Sequence, residues 1–194
     1  MKRIAVFASH GGTNLQAIID GCNEGKIFAK VVVVISNNPL AIALKRAKKA
    51  GIPGFCLNKK IHGSGLYEEQ LKLLNEHKVD IVFLAGYLKK LPDKLLQAYK
   101  DRIYNIHPSL LPKYGGKGMF GINVHRAVLE AGENVSGATI HKVSGDYDTG
   151  EIISQRKVPV LYDDTPEALA KRVLAAEHEL IVETLQKLTG DELI

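Results

Sequence analysis

The stretch IAVFASHGGTNLQAIID, Ile4 to Asp20, passes from a continuous apolar run through paired glycines into a segment of helical period. An uninterrupted run such as Ile4–Ala8 is how a strand buried on both faces of a parallel sheet reads. The same grammar recurs downstream. Val31–Ile35 and Ile81–Ala85 are further runs of this kind, and Asn14–Gly21, Ala41–Ala50 and Leu66–His77 carry helical spacing between them. Ala41–Ala50 has Pro39 near its start and Gly51 just past its end, the asymmetry expected of a helix. Phe55–Leu57 is a further short strand. This βαβαβ order predicts an α/β fold, a Rossmann-like open twisted sheet with helices on both faces, whose ligands bind beyond the carboxyl ends of the strands.

The second half changes character. Arg102–Ile106 is another strand, followed by a glycine-rich loop and a short helix around Val124–Ala131. Ala138–Val143 and Ile152–Val160 flank the turn-rich Ser144–Gly150, which predicts an antiparallel pair closing a parallel N-terminal half. Thr165-Pro166-Glu167 supplies an N-cap, an N1 proline and an early acid for a last helix running to about Leu188.

With 194 residues, 45% of them hydrophobic and 24% charged, the chain is expected to be one globular domain over residues 1–194. Its N-terminal apolar run stops at Ser9-His10 and reads as a strand rather than a signal peptide, and no apolar stretch reaches the ~20 residues of a bilayer span. Cys22 and Cys56 lack CxxC spacing and are expected to be free thiols in a reducing cytoplasm. The formal charge of +5 is compatible with small anionic ligands. The densest basic cluster, Leu44–Ala50, has no interleaved aromatic residues and reads as a solvated helix face rather than a nucleic-acid patch.

Three strand ends carry candidate chemistry. At the first, SHGGTNLQA brings glycines and a helix N-terminus together, an arrangement that receives a phosphate. It matches neither dinucleotide nor triphosphate fingerprints, so a monophosphate is favoured; a plain turn capped by Thr13 or Asn14 is the competing reading. At Ala85–Pro92, Tyr87 and Leu88 offer an apolar rim and Lys89-Lys90 offer cations, suited to a flat ligand with carboxylates, or equally to an exposed helix start. At the next strand end, alternation puts Asn105 and His107 on one face, an amide able to donate to an oxyanion beside an imidazole able to move a proton. Asp146 and Asp148, on the late loop, are candidates to orient that imidazole, although both also suit turn chemistry. No H-E-x-x-H cluster or G-x-S-x-G elbow occurs, and Glu177-His178-Glu179 faces several directions on a helix, so no metal is expected.

With SHGGTNLQAII, ISNNPLAIALKRAKKAGIP, VDIVFLAGYLKKLP, NIHPSLLPKY, VSGATIHKVSGDYDTGEIISQRKVPV and AAEHELI in this order, the chain resembles the glycinamide ribonucleotide formyltransferase family. The resemblance implies formyl transfer from 10-formyltetrahydrofolate to phosphoribosylglycinamide in de novo purine synthesis, by a cytoplasmic monomer or homodimer that acts on small molecules, not nucleic acid or membrane. It further implies catalysis by Asn105, His107 and Asp148, with Asp148 raising the pKa of His107. Gly12, Thr13, Asn14, Leu15 and Gln16, with Leu174, Ala175, Ala176 and Glu177, would hold the ribonucleotide. Leu88, Lys89, Lys90 and Leu91, with Asn105 and Ser144, Gly145, Asp146, Tyr147 and Asp148, would bracket the folate. Formyltetrahydrofolate hydrolase and methionyl-tRNA formylation are the neighbouring activities; those relatives carry an extra domain for which this length is expected to leave no room. The chain departs from the family pattern at His10, where a small residue is usual, at Ser64, where an arginine often meets folate, and in its longer Gly115–Val124 loop.

Overall fold

The computed structural model describes residues 1–190. Seven strands form one sheet in the order β3-β2-β1-β4-β5-β6-β7. These are β1 (Lys2–Phe7), β2 (Ala29–Ser36), β3 (Gly54–Cys56), β4 (Ile81–Leu84), β5 (Ile103–His107), β6 (Val135–Lys142) and β7 (Ile152–Pro159). The first five are parallel, and β6 runs antiparallel to both β5 and β7. The helices are α1 (Thr13–Asn23), α2 (Ile42–Lys49), α3 (Lys59–His62), α4 (Leu66–Glu76), α5 (Asp93–Ala98), α6 (Ile122–Glu130) and α7 (Pro166–Thr189). The short α3 and α5 escape a periodicity argument because neither is long enough to show one.

Strand alternation divides the interior in two. Ile4, Val6 and Ala8 enter one core with Leu15 and Ile18 of α1 and Leu169, Val173 and Leu180 of α7, while Ala5 and Phe7 enter the other with Leu73 and Leu74 of α4. Burying each of the larger side chains contributes about 1.5–3 kcal/mol. Because α1 and α2 cover one face and α4 the other, the strand order reverses between β1 and β4, and a crevice opens there. α7 begins where Thr165 Oγ1 accepts from the Ala168 N–H at 3.2 Å, with Pro166 at its first turn, and it packs across β6, β7, α1 and α6.

Candidate active site

The crevice is bounded by the ends of β1, β4 and β5, and Ser9 fastens the first two. Its N–H donates to Gly86 O at 3.1 Å, its hydroxyl donates to Asn37 Oδ1 and accepts from the Leu88 N–H at 2.9 Å. The turn that follows depends on Gly12, which has φ +70° and would place a Cβ 2.8 Å from the Cα and Cβ of Ala43. Gly12 itself caps α1, and neither Thr13 nor Asn14 makes a side-chain cap, so the side-chain-capped turn is not what forms. The leading N–H groups of α1 have no carbonyl of their own helix to bond, and no acidic residue sits in the first turn. Arg46, expected on a solvated face, instead reaches Gly11 O through Nε at 2.9 Å and Gln16 Oε1 through a guanidinium nitrogen at 3.2 Å. Its cation therefore stands beside the glycine turn.

β5 delivers Asn105 and His107 on one face after Ile103, while Tyr104 and Ile106 enter the core. Asp148 reaches them, with Oδ1 3.4 Å from His107 Nδ1 and 3.4 Å from Asn105 Nδ2. Its other oxygen accepts the Gly116 N–H at 2.9 Å. Asp148 adopts φ +57°, a left-handed conformation that turns its carboxylate inward. His107 Nε2 donates to Tyr114 O at 2.8 Å. Thr139 Oγ1, on the strand opposite, donates to Ser109 O at 2.6 Å and accepts the Leu111 N–H at 3.0 Å, holding the chain that leaves the histidine.

Burial pushes the His107 imidazole below its usual pKa; Asp148 pulls it upward, as the resemblance implied, but does not outweigh the burial. Asp148 stays low because His141, His107 and the Gly116 N–H together outweigh its own desolvation.

The sequence reading missed His141 and His125. His141 lies opposite Asn105 in register and is 1% exposed. Its Nδ1 donates to Lys142 O at 2.8 Å, which in the neutral ring leaves Nε2 as an acceptor, and Asn105 Nδ2 then donates to it at 3.0 Å. Turning the Asn105 amide over would set its oxygen against both that acceptor and Asp148, so His141 fixes the amide's direction. Its place in the β-run TIHKV was visible, but its pairing with Asn105 needed the strand register. His125 of α6 is buried with Nδ1 unpartnered, and burial lowers its pKa.

Asn105, His107, Asp148, Asn14, Leu174 and Glu177 all line one cleft of about 480 Å³, together with Tyr87, Leu88 and the Gly116–Ile122 loop. Asn14 Nδ2 donates to Glu177 Oε2 at 2.8 Å, and burial pushes the Glu177 carboxyl up to about 7. Lys89, Lys90, Leu91, Gly145 and Asp146 line an adjoining hollow that shares Tyr87, Asn105, Tyr147 and Asp148 with the cleft, while some expected positions fall elsewhere. Leu15 and Ala176 put their side chains in the core, and Ala175 faces outward. Lys89 and Lys90 are exposed at the cleft margin, and Asp146 pairs with Lys90 at 3.1 Å instead of approaching His107. Ser64 is exposed in the Gly63–Gly65 turn, and His10 is exposed beside the glycine turn. Among the described residues no group of three or more His, Cys, Asp or Glu is arranged to hold a metal ion, and no helix is long and apolar enough to cross a membrane.

A doubly wound sheet with an amide, an imidazole and a carboxylate converging beyond one strand end is equipped for group transfer, and comparison with known proteins identifies the family. The family model described as formyl transferase matches residues 2–185. The chain is 48% identical to chloroplastic phosphoribosylglycinamide formyltransferase of Arabidopsis thaliana over 95% of its own length and 64% of that protein's. It thus spans a little under two thirds of that plant relative. It is 42% identical to phosphoribosylglycinamide formyltransferase of Haemophilus influenzae, over 93% of this chain and 84% of that one. The crystal structure of glycinamide ribonucleotide transformylase 1 from Symbiobacterium toebii superimposes with a TM-score of 0.92 at 41% identity, covering all of this chain and 90% of that one. The chain belongs to the formyl transferase family, in its phosphoribosylglycinamide formyltransferase branch.

Proposed function

We propose that the chain transfers the formyl group of 10-formyltetrahydrofolate to the glycinamide amine of 5-phosphoribosylglycinamide, in de novo purine biosynthesis, with residues 1–194 acting as a single catalytic domain in the cytoplasm. The observation that carries the reading is the cleft itself: Asn105, His107 and Asp148 meet in it, and the uncompensated end of α1 lies beside it. The monophosphate suits the Gly11–Gln16 turn, where backbone N–H groups and Arg46 supply positive charge. The apolar wall of Tyr87, Leu88, Met119 and Phe120 suits a flat pterin, and Lys89 and Lys90 at the margin suit the carboxylates of a folate tail.

The chemistry is direct acyl transfer. The glycinamide amine attacks the formyl carbon, an oxyanion develops, the bond from carbon to folate N10 breaks, and one proton passes from the amine to N10. His107 Nδ1 faces the cleft beside Asp148, which balances the imidazolium that donates to the oxyanion. The amide hydrogens of Asn105 point at His141 and toward Asp148, so the long 3.4 Å contact to Asp148 is the one a formyl oxygen displaces. Asn14 and His125 line the cleft, and Asn14 Oδ1 and His125 Nδ1 are buried without a partner in the protein. No metal takes part in this scheme.

The assay follows labelled formyl from 10-formyltetrahydrofolate. Appearance in formylglycinamide ribonucleotide supports the reading, and release only as free formate, or transfer only to methionyl-tRNA, overturns the substrate assignment.

A further inference from the structure

His107 is surrounded by titratable groups from several elements: Asp148 after β6, His141 on β6, His125 on α6, and Glu177 of α7 lining the same cleft. Its Nε2 side is different, because the partner there is a backbone carbonyl, Tyr114 O. A carbonyl only accepts, so Nε2 keeps a hydrogen in every protonation state and Nδ1 becomes the nitrogen that gains and loses the proton. Without that carbonyl, a neutral imidazole beside Asp148 would place its hydrogen on Nδ1 instead. The position of the Tyr114 carbonyl therefore decides which nitrogen works.

The local chain holds that carbonyl only in part. Tyr114 sits at φ +56°, strained for a residue with a side chain, and opens a loop containing Gly115, Gly116, Gly118 and Gly121. Ser109 Oγ gives an inner fastening, donating to the preceding Lys113 O at 2.7 Å and lying 3.4 Å from Tyr114 O itself. The outer fastening comes from Glu133, in the turn after α6, whose Oε1 accepts from Lys113 Nζ at 2.7 Å and from Tyr114 Oη at 2.9 Å. One oxygen thus grips both residues that precede the loop, and these two donors hold the Glu133 carboxyl below its usual range. Immediately beyond, Gly116 N–H returns to Asp148, so the segment from Tyr114 to Gly116 bridges the two members of the acid–base pair.

We propose that Glu133 is a positioning residue for His107: by fastening Lys113 and Tyr114 it sets the carbonyl that fixes the Nε2–H tautomer and leaves Nδ1 to carry the transferred proton. Only the kinetic arm of the test rests on the formyl-transfer reading.

The test uses full-length protein labelled with ¹⁵N-histidine, in wild type, Glu133→Ala, Glu133→Gln and Tyr114→Phe, with the His107 ring signals identified by their loss in His107→Gln. Wild type should show the Nε2–H tautomer. Glu133→Ala should shift neutral His107 toward Nδ1–H and lower its pKa, since the bond to Tyr114 O favours the charged ring. Its kcat should fall roughly tenfold at unchanged KM, the scale of a small misplacement of a reacting group. Glu133→Gln keeps a neutral acceptor for Tyr114 Oη and should retain the wild-type tautomer and most of the rate. Tyr114→Phe keeps the Lys113–Glu133 pair and should show a mixture of tautomers; it and Glu133→Gln carry the test if Glu133→Ala does not fold. An Nε2–H tautomer with wild-type kcat in Glu133→Ala overturns the proposal. So does a rate loss matched by a lower Tm with the tautomer unchanged, which would make Glu133 structural only. If wild type transfers no formyl group while the tautomer still shifts in Glu133→Ala, the functional reading fails and the positioning role stands.

Discussion

The turn after β1 and the cluster after β5 face the same cleft but are built from different materials. The first is mostly backbone: a left-handed glycine, uncompensated N–H groups and one arginine behind them. The second is made of side chains from β5, β6 and the loop beyond β6, several titratable, with His107 and His141 buried and Asn105 and Asp148 partly so. Backbone N–H groups offer a fixed positive potential that binds an anion without changing state, whereas a buried imidazole and carboxylate can exchange a proton. On the proposed function, binding falls to the first region and chemistry to the second.

Removing a member of the second region should have the largest effect. His107→Ala should reduce kcat by roughly 10²-fold or more, the scale of lost acid–base assistance, with KM for phosphoribosylglycinamide little changed. Steady-state kinetics that instead raised KM at constant kcat would break the division. Gly12→Ala should do the reverse. A side chain at φ +70° carries roughly 1–2 kcal/mol of strain, to which the contact with Ala43 adds. A raised KM for the ribonucleotide and a lower Tm are the expected signs, while His107 titrates as in wild type.

Glu177 sharpens the comparison, because it is a titratable side chain on the binding side. Its carboxyl, pushed up to about 7 from 4.5, holds its proton more tightly folded than unfolded. The folded state therefore loses stability as pH rises between those values, and the full deficit is present above 7. Glu177→Gln should raise stability at pH 8 by up to roughly 3 kcal/mol and leave it unchanged near pH 4, as urea unfolding at the two pH values would show. The same variant should bind the ribonucleotide less well. At the small end, Lys90→Ala removes an exposed ion pair with Asp146 and should move stability by less than about 0.5 kcal/mol. A higher KM for the folate alone would support Lys90 as a tail contact.

The backbone-built region and the strands were the legible part of the sequence. Continuous apolar runs gave β1, β2 and β4, and the glycine pair marked the turn, because both are local properties of the chain. Strand alternation also paired Asn105 with His107 correctly. What the sequence could not supply was register and reach. His141 acts on Asn105 only because β6 aligns those two residues, and Asp148, not Asp146, turns inward because of its left-handed backbone. Asp148 raises the His107 pKa as the resemblance implies, but the net position was beyond the sequence for a related reason. Burial is a sum over the whole fold, and it exceeds the effect of a single neighbouring charge. Arg46 was read as solvated because helical spacing shows which face a residue takes but not that a neighbouring turn lies within reach.

The most direct test of the division between binding and chemistry is kcat for Asp148→Asn with both substrates saturating. The change keeps the size of the side chain and removes the charge that balances the His107 imidazolium. A fall of roughly 10²-fold or more with both KM values unchanged is the expected result. Wild-type kcat in that variant would contradict the account, since the carboxylate would then have no part in the chemistry.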